Sequence, residues 1–186
     1  MNKRDIPNAI SIVRIILVVP IAFCLWSQNY LTALILFLVG GLSDGLDGFL
    51  ARRYHWETKL GVILDPMGDK LMMLTAYLLL GWHALLPWWL VALVIGRDLI
   101  IVIGTLLYRR VIGEAKLKPL FISKLNTAVQ IVLVLLVMLS QVINIPALVT
   151  ESFIWTVAVT TLLSGYAYIN EWGRRSWRIL KGKEVH

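Results

Sequence analysis

The stretch LTALILFLVGGLSDGLDGFL, residues 31–50, decides how the chain folds. Its first twelve residues, 31–42, are all apolar or small apart from Thr32. At about 1.5 Å per residue they cover about 18 Å, whereas the hydrocarbon core of a bilayer is about 30 Å thick. A helix that crosses the core from here has to run on through Asp44 and Asp47 to about Leu50. Residues 71–80 present the same shortage, with only ten apolar or small positions. A helix ending there has to begin near Gly61 and carry Asp65, Asp69 and Lys70 with it.

The rest of the chain demands a membrane reading of those two segments. Of 186 residues, 59% are hydrophobic and 16% charged, against about 25% charged in ordinary soluble domains. Mean hydropathy is +0.77. So few charges cannot cover a soluble domain of this length. Disorder is excluded by the high hydrophobicity, and a disulfide scaffold by Cys24 being the only cysteine. Spans are expected near residues 7–27, 31–50, 61–81, 84–108, 121–143 and 152–170. The first is read as a span and not as a cleaved leader, because no small-residue cleavage site follows it. The predicted fold is an all-α integral membrane protein, a six-transmembrane-helix bundle in one domain over residues 1–186.

The net charge of +7 follows topology. Lys3 and Arg4, then Arg52, Arg53 and Lys59, then Arg109, Arg110, Lys116, Lys118 and Lys124 alternate with turns near Asn29, His83 and Asn144 that hold no Lys or Arg. The positive-inside rule places both termini in the cytoplasm, with residues 171–186 as a basic cytoplasmic tail attracted to anionic lipid. Trp82, Trp88, Trp89, Trp155, Trp172 and Trp177 fall near span ends, as an aromatic belt would. Nucleic acid is excluded as a partner, since the basic residues build no separate soluble face.

Asp44, Asp47, Asp65 and Asp69 then stand out. An ionisable group inside a span is costly and marks a functional site by default. Asp44 and Asp47 are spaced i, i+3 and Asp65 and Asp69 i, i+4, so each pair shares a helix face. All four are expected within about 12 Å of the cytoplasmic edge. Together they would repel one another and take up protons. Hard divalent cations such as Mg²⁺, Mn²⁺ or Ca²⁺ relieve that, since they take oxygen ligands. Gly48 suits close approach of a ligand to backbone, and Gly41 and Gly45 suit close helix packing. Arg52, one turn past Gly48, and Thr58 in the following loop point to a phosphate ligand.

Asp44-Gly45-Leu46-Asp47-Gly48-Phe49-Leu50-Ala51-Arg52, eight further residues, Gly61, three residues, Asp65, three residues and Asp69 resemble the signature of the CDP-alcohol phosphatidyltransferase family. The opening Ile6-Pro7-Asn8-Ala9-Ile10-Ser11-Ile12-Val13-Arg14 is similar to the family's first helix, with Ser11 where many members have Thr. The resemblance implies that Asp44, Asp47, Asp65 and Asp69 hold two divalent metal ions, Mg²⁺ or Mn²⁺, and that Asn8, Gly45, Gly48, Arg52, Thr58 and Gly61 bind the CDP-lipid. It implies Asp69 as general base on the acceptor hydroxyl, CDP-diacylglycerol as donor and CMP as leaving group. It also implies a homodimer in a bacterial-type inner membrane or the mitochondrial inner membrane, with the active site facing the cytoplasm or matrix.

The second half, with Ile95-Gly96-Arg97-Asp98, Leu117 to Gln130 and Ser164-Gly165-Tyr166-Ala167-Tyr168, is most similar to the CMP-forming cardiolipin synthase branch of that family. That branch implies phosphatidylglycerol as acceptor. The alternative is a phosphatidylglycerophosphate synthase using glycerol 3-phosphate, whose members more often show Arg-Glu at the place of Arg97-Asp98. Arg97 and Lys124 are the expected acceptor-phosphate ligands. Arg14 either joins them or pairs with an acid of the third helix. Asn126 and Gln130, at i, i+4, are read equally as interhelical hydrogen bonds or as ligands. A divalent-cation transporter fits less well, because its polar groups would run through the full depth of the membrane. The acidic cluster predicts that chelation stops phosphatidyl transfer and that Mg²⁺ or Mn²⁺ restores it. CMP release in excess chelator measures this, and full activity there would refute a metal site.

Overall fold

The computed structural model describes residues 6–54, 61–112 and 121–183, with side chains described over 12–43, 67–105 and 121–171. Six helices account for them: α1 (Ile6–Trp26), α2 (Tyr30–Tyr54), α3 (Gly61–Trp82), α4 (Trp88–Ile112), α5 (Phe121–Ser140) and α6 (Ala147–Lys183). Helix α2 does continue past Leu42 through the polar turn, and α3 does begin at Gly61.

The ends differ from expectation where hydropathy is a poor guide. Helix α4 starts at Trp88, four residues late, because the chain turns over residues 83–87 and Pro87 accepts the first bonds from the amides of Leu90 and Val91. Helix α6 starts five residues early at Ala147 and does not stop at Asn170. It runs 37 residues, about 55 Å at 1.5 Å per residue, so the basic segment is helical to Lys183.

Two helix ends are closed by the same device. The amide of Asn29 bonds to the Cys24 carbonyl and that of Gln28 to Leu25. At the end of α3 the amides of Leu85 and Ala84 bond to Leu80 and Gly81. Each is a Schellman pattern that needs a left-handed residue in the penultimate place. Gln28 (φ 60°) and Ala84 (φ 57°) supply it without being glycine. Asn29 Oδ1 then accepts from the amide of Thr32 at 3.3 Å and caps α2.

The described residues form two compact units, Met1–Leu86 with Val134–Ile145, and Pro87–Leu133 with Pro146–His186. In the first, α1 packs along both α2 and α3. Buried positions repeat at helical spacing: Arg14, Ile21 and Leu25 on α1, Ala33 and Phe37 on α2, Met72, Ala76 and Leu80 on α3. Close packing falls at Gly40, where a Cβ would meet Met72 Sδ at 3.0 Å. At Gly41, the expected contact, a Cβ would meet nothing within 4 Å. In the second unit α4 packs on α6, burying Leu90, Val91 and Val94 on one and Val157 and Ala158 on the other.

Polar side chains share the buried stripes with apolar ones, and large apolar side chains face outward. Arg14, Arg97, Asn126, Gln130, Thr161 and Ser164 are buried, while Val19, Phe23, Leu42, Leu148 and Leu162 are exposed. Apolar surface of this extent needs an apolar environment. Trp88–Thr105, Phe121–Ser140 and Ala147–Glu171 are long and apolar enough to cross a membrane, and Ile12–Trp26 and Tyr30–Ser43 are shorter apolar segments. Ala84→Gly should relieve the left-handed strain and stabilise the protein by about 1 kcal/mol, read as a higher unfolding midpoint in detergent.

Candidate active site

Helix α2 carries Asp44, Gly45, Asp47, Gly48 and Arg52, and α3 carries Gly61, Asp65 and Asp69. Asn8 lies in the first turn of α1. The side chains of Asn8, Asp44, Asp47, Arg52 and Asp65 lie outside the described residues, as does the whole of Thr58. All these helices belong to the first unit. The donor set they offer is four carboxylates, hard oxygen ligands that suit Mg²⁺ or Mn²⁺ in preference to softer metals.

Asp69 is the member whose surroundings are described. Arg14 Nη1 donates to its Oδ1 at 2.9 Å, and the two side chains are very unequally covered, 0% exposed for Arg14 and 45% for Asp69. Of the two roles expected for Arg14, pairing with an acid of the third helix is the one the structure displays. Gly68 precedes Asp69 on α3, and a Cβ there would already touch Arg14 Cδ and Ile15 Cγ1, both at 3.5 Å.

In the second unit Arg97 is only 7% exposed. Its Nη1 donates to Asp98 Oδ1 at 2.7 Å, and its Nη2 to Ser123 Oγ at 2.6 Å and to Ser164 Oγ at 2.5 Å. The Tyr168 ring lies 5.9 Å from the guanidinium carbon, within cation–π range. Adjacent helical residues point apart, which makes this pairing an awkward one. The long arginine stem curls back to its neighbour's carboxylate while its other nitrogen reaches α5 and α6. Lys124, the other expected acceptor ligand, is exposed in the first turn of α5.

Asn126 and Gln130 are interhelical hydrogen-bonding groups. Asn126 Oδ1 accepts from Thr160 Oγ1 at 2.8 Å and Thr161 Oγ1 at 2.9 Å, and Gln130 Nε2 lies 3.4 Å from Thr161 Oγ1. Ser123 and Ser164 were not singled out from sequence. The available signal was the polar run Thr161, Ser164 and Tyr168, spaced i, i+3, i+7 along α6.

Residues 4–163 match the sequence model of the CDP-alcohol phosphatidyltransferase family. Among curated proteins the chain is similar to a CMP-forming cardiolipin synthase of Rattus norvegicus, 33% identical over 98% of this chain and 66% of that one. It is also similar to a CMP-forming cardiolipin synthase of Homo sapiens, 32% identical over 97% of this chain and 65% of that one. A CDP-diacylglycerol–glycerol-3-phosphate 3-phosphatidyltransferase of Bacillus subtilis is 29% identical over 95% of this chain and 97% of that one. The chain thus spans just under two thirds of the length of the two mammalian relatives.

Arg97→Met should cost about 2 kcal/mol. Removing one partner of a buried pair costs about 3–5 kcal/mol, discounted because Asp98 is one third exposed. The unfolding midpoint in detergent measures it.

Proposed function

The chain belongs to the CDP-alcohol phosphatidyltransferase family, and from that premise we propose that this membrane protein transfers a phosphatidyl group from CDP-diacylglycerol to a glycerol hydroxyl with release of CMP. The proposed acceptor is phosphatidylglycerol, which makes the product cardiolipin. The observation that carries the reaction is the complete aspartate signature over two helices, with Asp69 held by a buried arginine. The choice of acceptor is supported by the names and coverage of the mammalian relatives.

Asp44, Asp47, Asp65 and Asp69 are the proposed ligands of two divalent ions. When bound, such ions neutralise the charge that develops on a phosphoryl group and orient it for attack. Gly45 and Gly48 admit the nucleotide close to the helix backbone, and Arg52 offers a planar donor pair to phosphate oxygens. Asn8, Thr58 and Gly61 complete the proposed CDP-lipid set. Asp69 takes the proton of the acceptor hydroxyl. The freed oxygen bonds to the lipid-side phosphorus, the bond from that phosphorus to the CMP oxygen breaks, and CMP departs with the electron pair. Arg97 and Lys124 are the proposed ligands of the acceptor phosphate. The site faces the cytoplasm or matrix, with both termini on that side of six spans, so soluble CMP leaves to water while acyl chains stay in lipid. The working form is a homodimer.

A glycerol 3-phosphate acceptor is the second reading, favoured by the near full-length match to the Bacillus subtilis relative. Purified protein is given CDP-diacylglycerol, Mg²⁺ or Mn²⁺, and either phosphatidylglycerol or glycerol 3-phosphate. Cardiolipin and CMP are the expected products from the first mixture. Product from glycerol 3-phosphate alone would reject phosphatidylglycerol as the acceptor.

A further inference from the structure

We propose that Arg14 is a positioning residue for the reaction: it fixes the carboxylate of Asp69 in the orientation needed to receive the acceptor's proton. The proposal rests on the reading of Asp69 as the base.

Three features of the first unit carry it. The first is the cost of the arrangement. Arg14 is entirely covered, and an arginine stays charged wherever it is placed. Sealing a guanidinium among apolar helices is unfavourable unless a partner compensates it. Within the α1 stripe it occupies the place of a core residue, one of a series with Ile21 and Leu25. A leucine or methionine there would pack at lower cost.

The second feature is asymmetry. Withdrawing both members of an ion pair from water costs desolvation that can exceed their attraction. Here the cation is sealed at 0% exposure while the anion keeps 45%. The buried member acts as a fixed mount, and the carboxylate stays open to whatever enters from outside. An aspartate side chain has two torsions to fix. Committing Oδ1 to Nη1 at 2.9 Å removes that freedom during folding, before any substrate arrives.

The third feature is the local construction of α3. Gly68 lies immediately before Asp69, and the Arg14 stem runs over it. A Cβ at Gly68 would stand 3.5 Å from Arg14 Cδ, so a side chain larger than alanine would push the stem away from the carboxylate. The glycine therefore seats the arginine beside the residue it holds.

In the step itself Arg14 neither gains nor loses a proton. The hydroxyl proton goes to Asp69, the acceptor oxygen forms its bond to phosphorus, and the bond to CMP breaks. The effect of Arg14 is therefore on turnover, with little effect on donor binding. Near-attack geometry is steep, and a misplacement of about 1 Å costs about 10²-fold in rate.

The test uses the full chain in detergent with Arg14→Lys, Arg14→Gln and Asp69→Asn. It reads kcat, KM for CDP-diacylglycerol, and the upward shift in unfolding midpoint that CDP-diacylglycerol produces. Asp69→Asn should abolish transfer and keep the ligand-induced shift. Wild-type turnover in that variant would defeat the base assignment, whatever Arg14 does. Arg14→Gln should lower kcat by about 10²-fold with KM and the ligand-induced shift little changed. Arg14→Lys, which keeps the charge and loses the planar fork, should recover part of kcat, and it serves as the test should the glutamine variant fail to fold. If Asp69→Asn is inactive while Arg14→Lys turns over at the wild-type rate, or if the loss in either Arg14 variant lies in KM alone, Arg14 does not position the base.

Discussion

A charged or hydrogen-bonding side chain in hydrocarbon must find a partner inside the protein, because no water is there to serve. That constraint organises every described part of this chain. Apolar residues line the outside of the helices, and the buried stripes carry arginine, asparagine, glutamine, serine and threonine. Packing between helices in such surroundings gains little from hydrophobicity, since lipid is as apolar as leucine, and relies on close fit and polar bonds. The Asn126, Gln130, Thr160 and Thr161 set in the second unit has this character. So does the seat that Gly68 makes for Arg14 in the first.

The same constraint explains what could be read from sequence. Twelve apolar residues are too few to cross, so α2 had to include Asp44 and Asp47, and it does. Length against hydrocarbon thickness is a one-dimensional quantity, and a sequence displays it directly. The far end of α6 escaped because hydropathy reports where lipid stops and is blind to where hydrogen bonding stops. Lysine and arginine are good helix formers, and the helix continues in them to Lys183. The contact of Gly40 with Met72 depends on the rotation of one helix about its axis, and a one-residue error there moves the contact by about 100°.

The polar partners were legible only in kind. Asn126 and Gln130 at i, i+4 announced a polar stripe without naming its partner helix. Arg97 and Asp98 are adjacent, and adjacent Cα–Cβ bonds on a helix diverge. That rule holds for short side chains, but an arginine stem is long enough to turn back, and burial leaves it every reason to do so. The pairing of Arg14 with Asp69 joins residues 55 positions apart, a separation that no local periodicity encodes. What the sequence did carry was the scarcity of charge. With only 16% of residues charged, each ionisable group within a span asks for an explanation, and the number of available counter-ions is small.

The two sealed arginines show how one constraint leads to different uses. Arg97 is surrounded by an adjacent carboxylate, two hydroxyls and a tyrosine ring. Most of its donors are committed, and it ties α4 to α5 and α6. Arg14 instead reaches across from α1 to a carboxylate on α3 that remains nearly half open. A guanidinium shared between a neighbouring carboxylate and hydroxyls on two other helices holds those helices together. A guanidinium bonded to a half-open carboxylate of the aspartate signature holds a reactive group still, and that is useful where the carboxylate's orientation matters. What separates the two pairs is place: Asp69 closes that signature on α3, and Asp98 lies outside it.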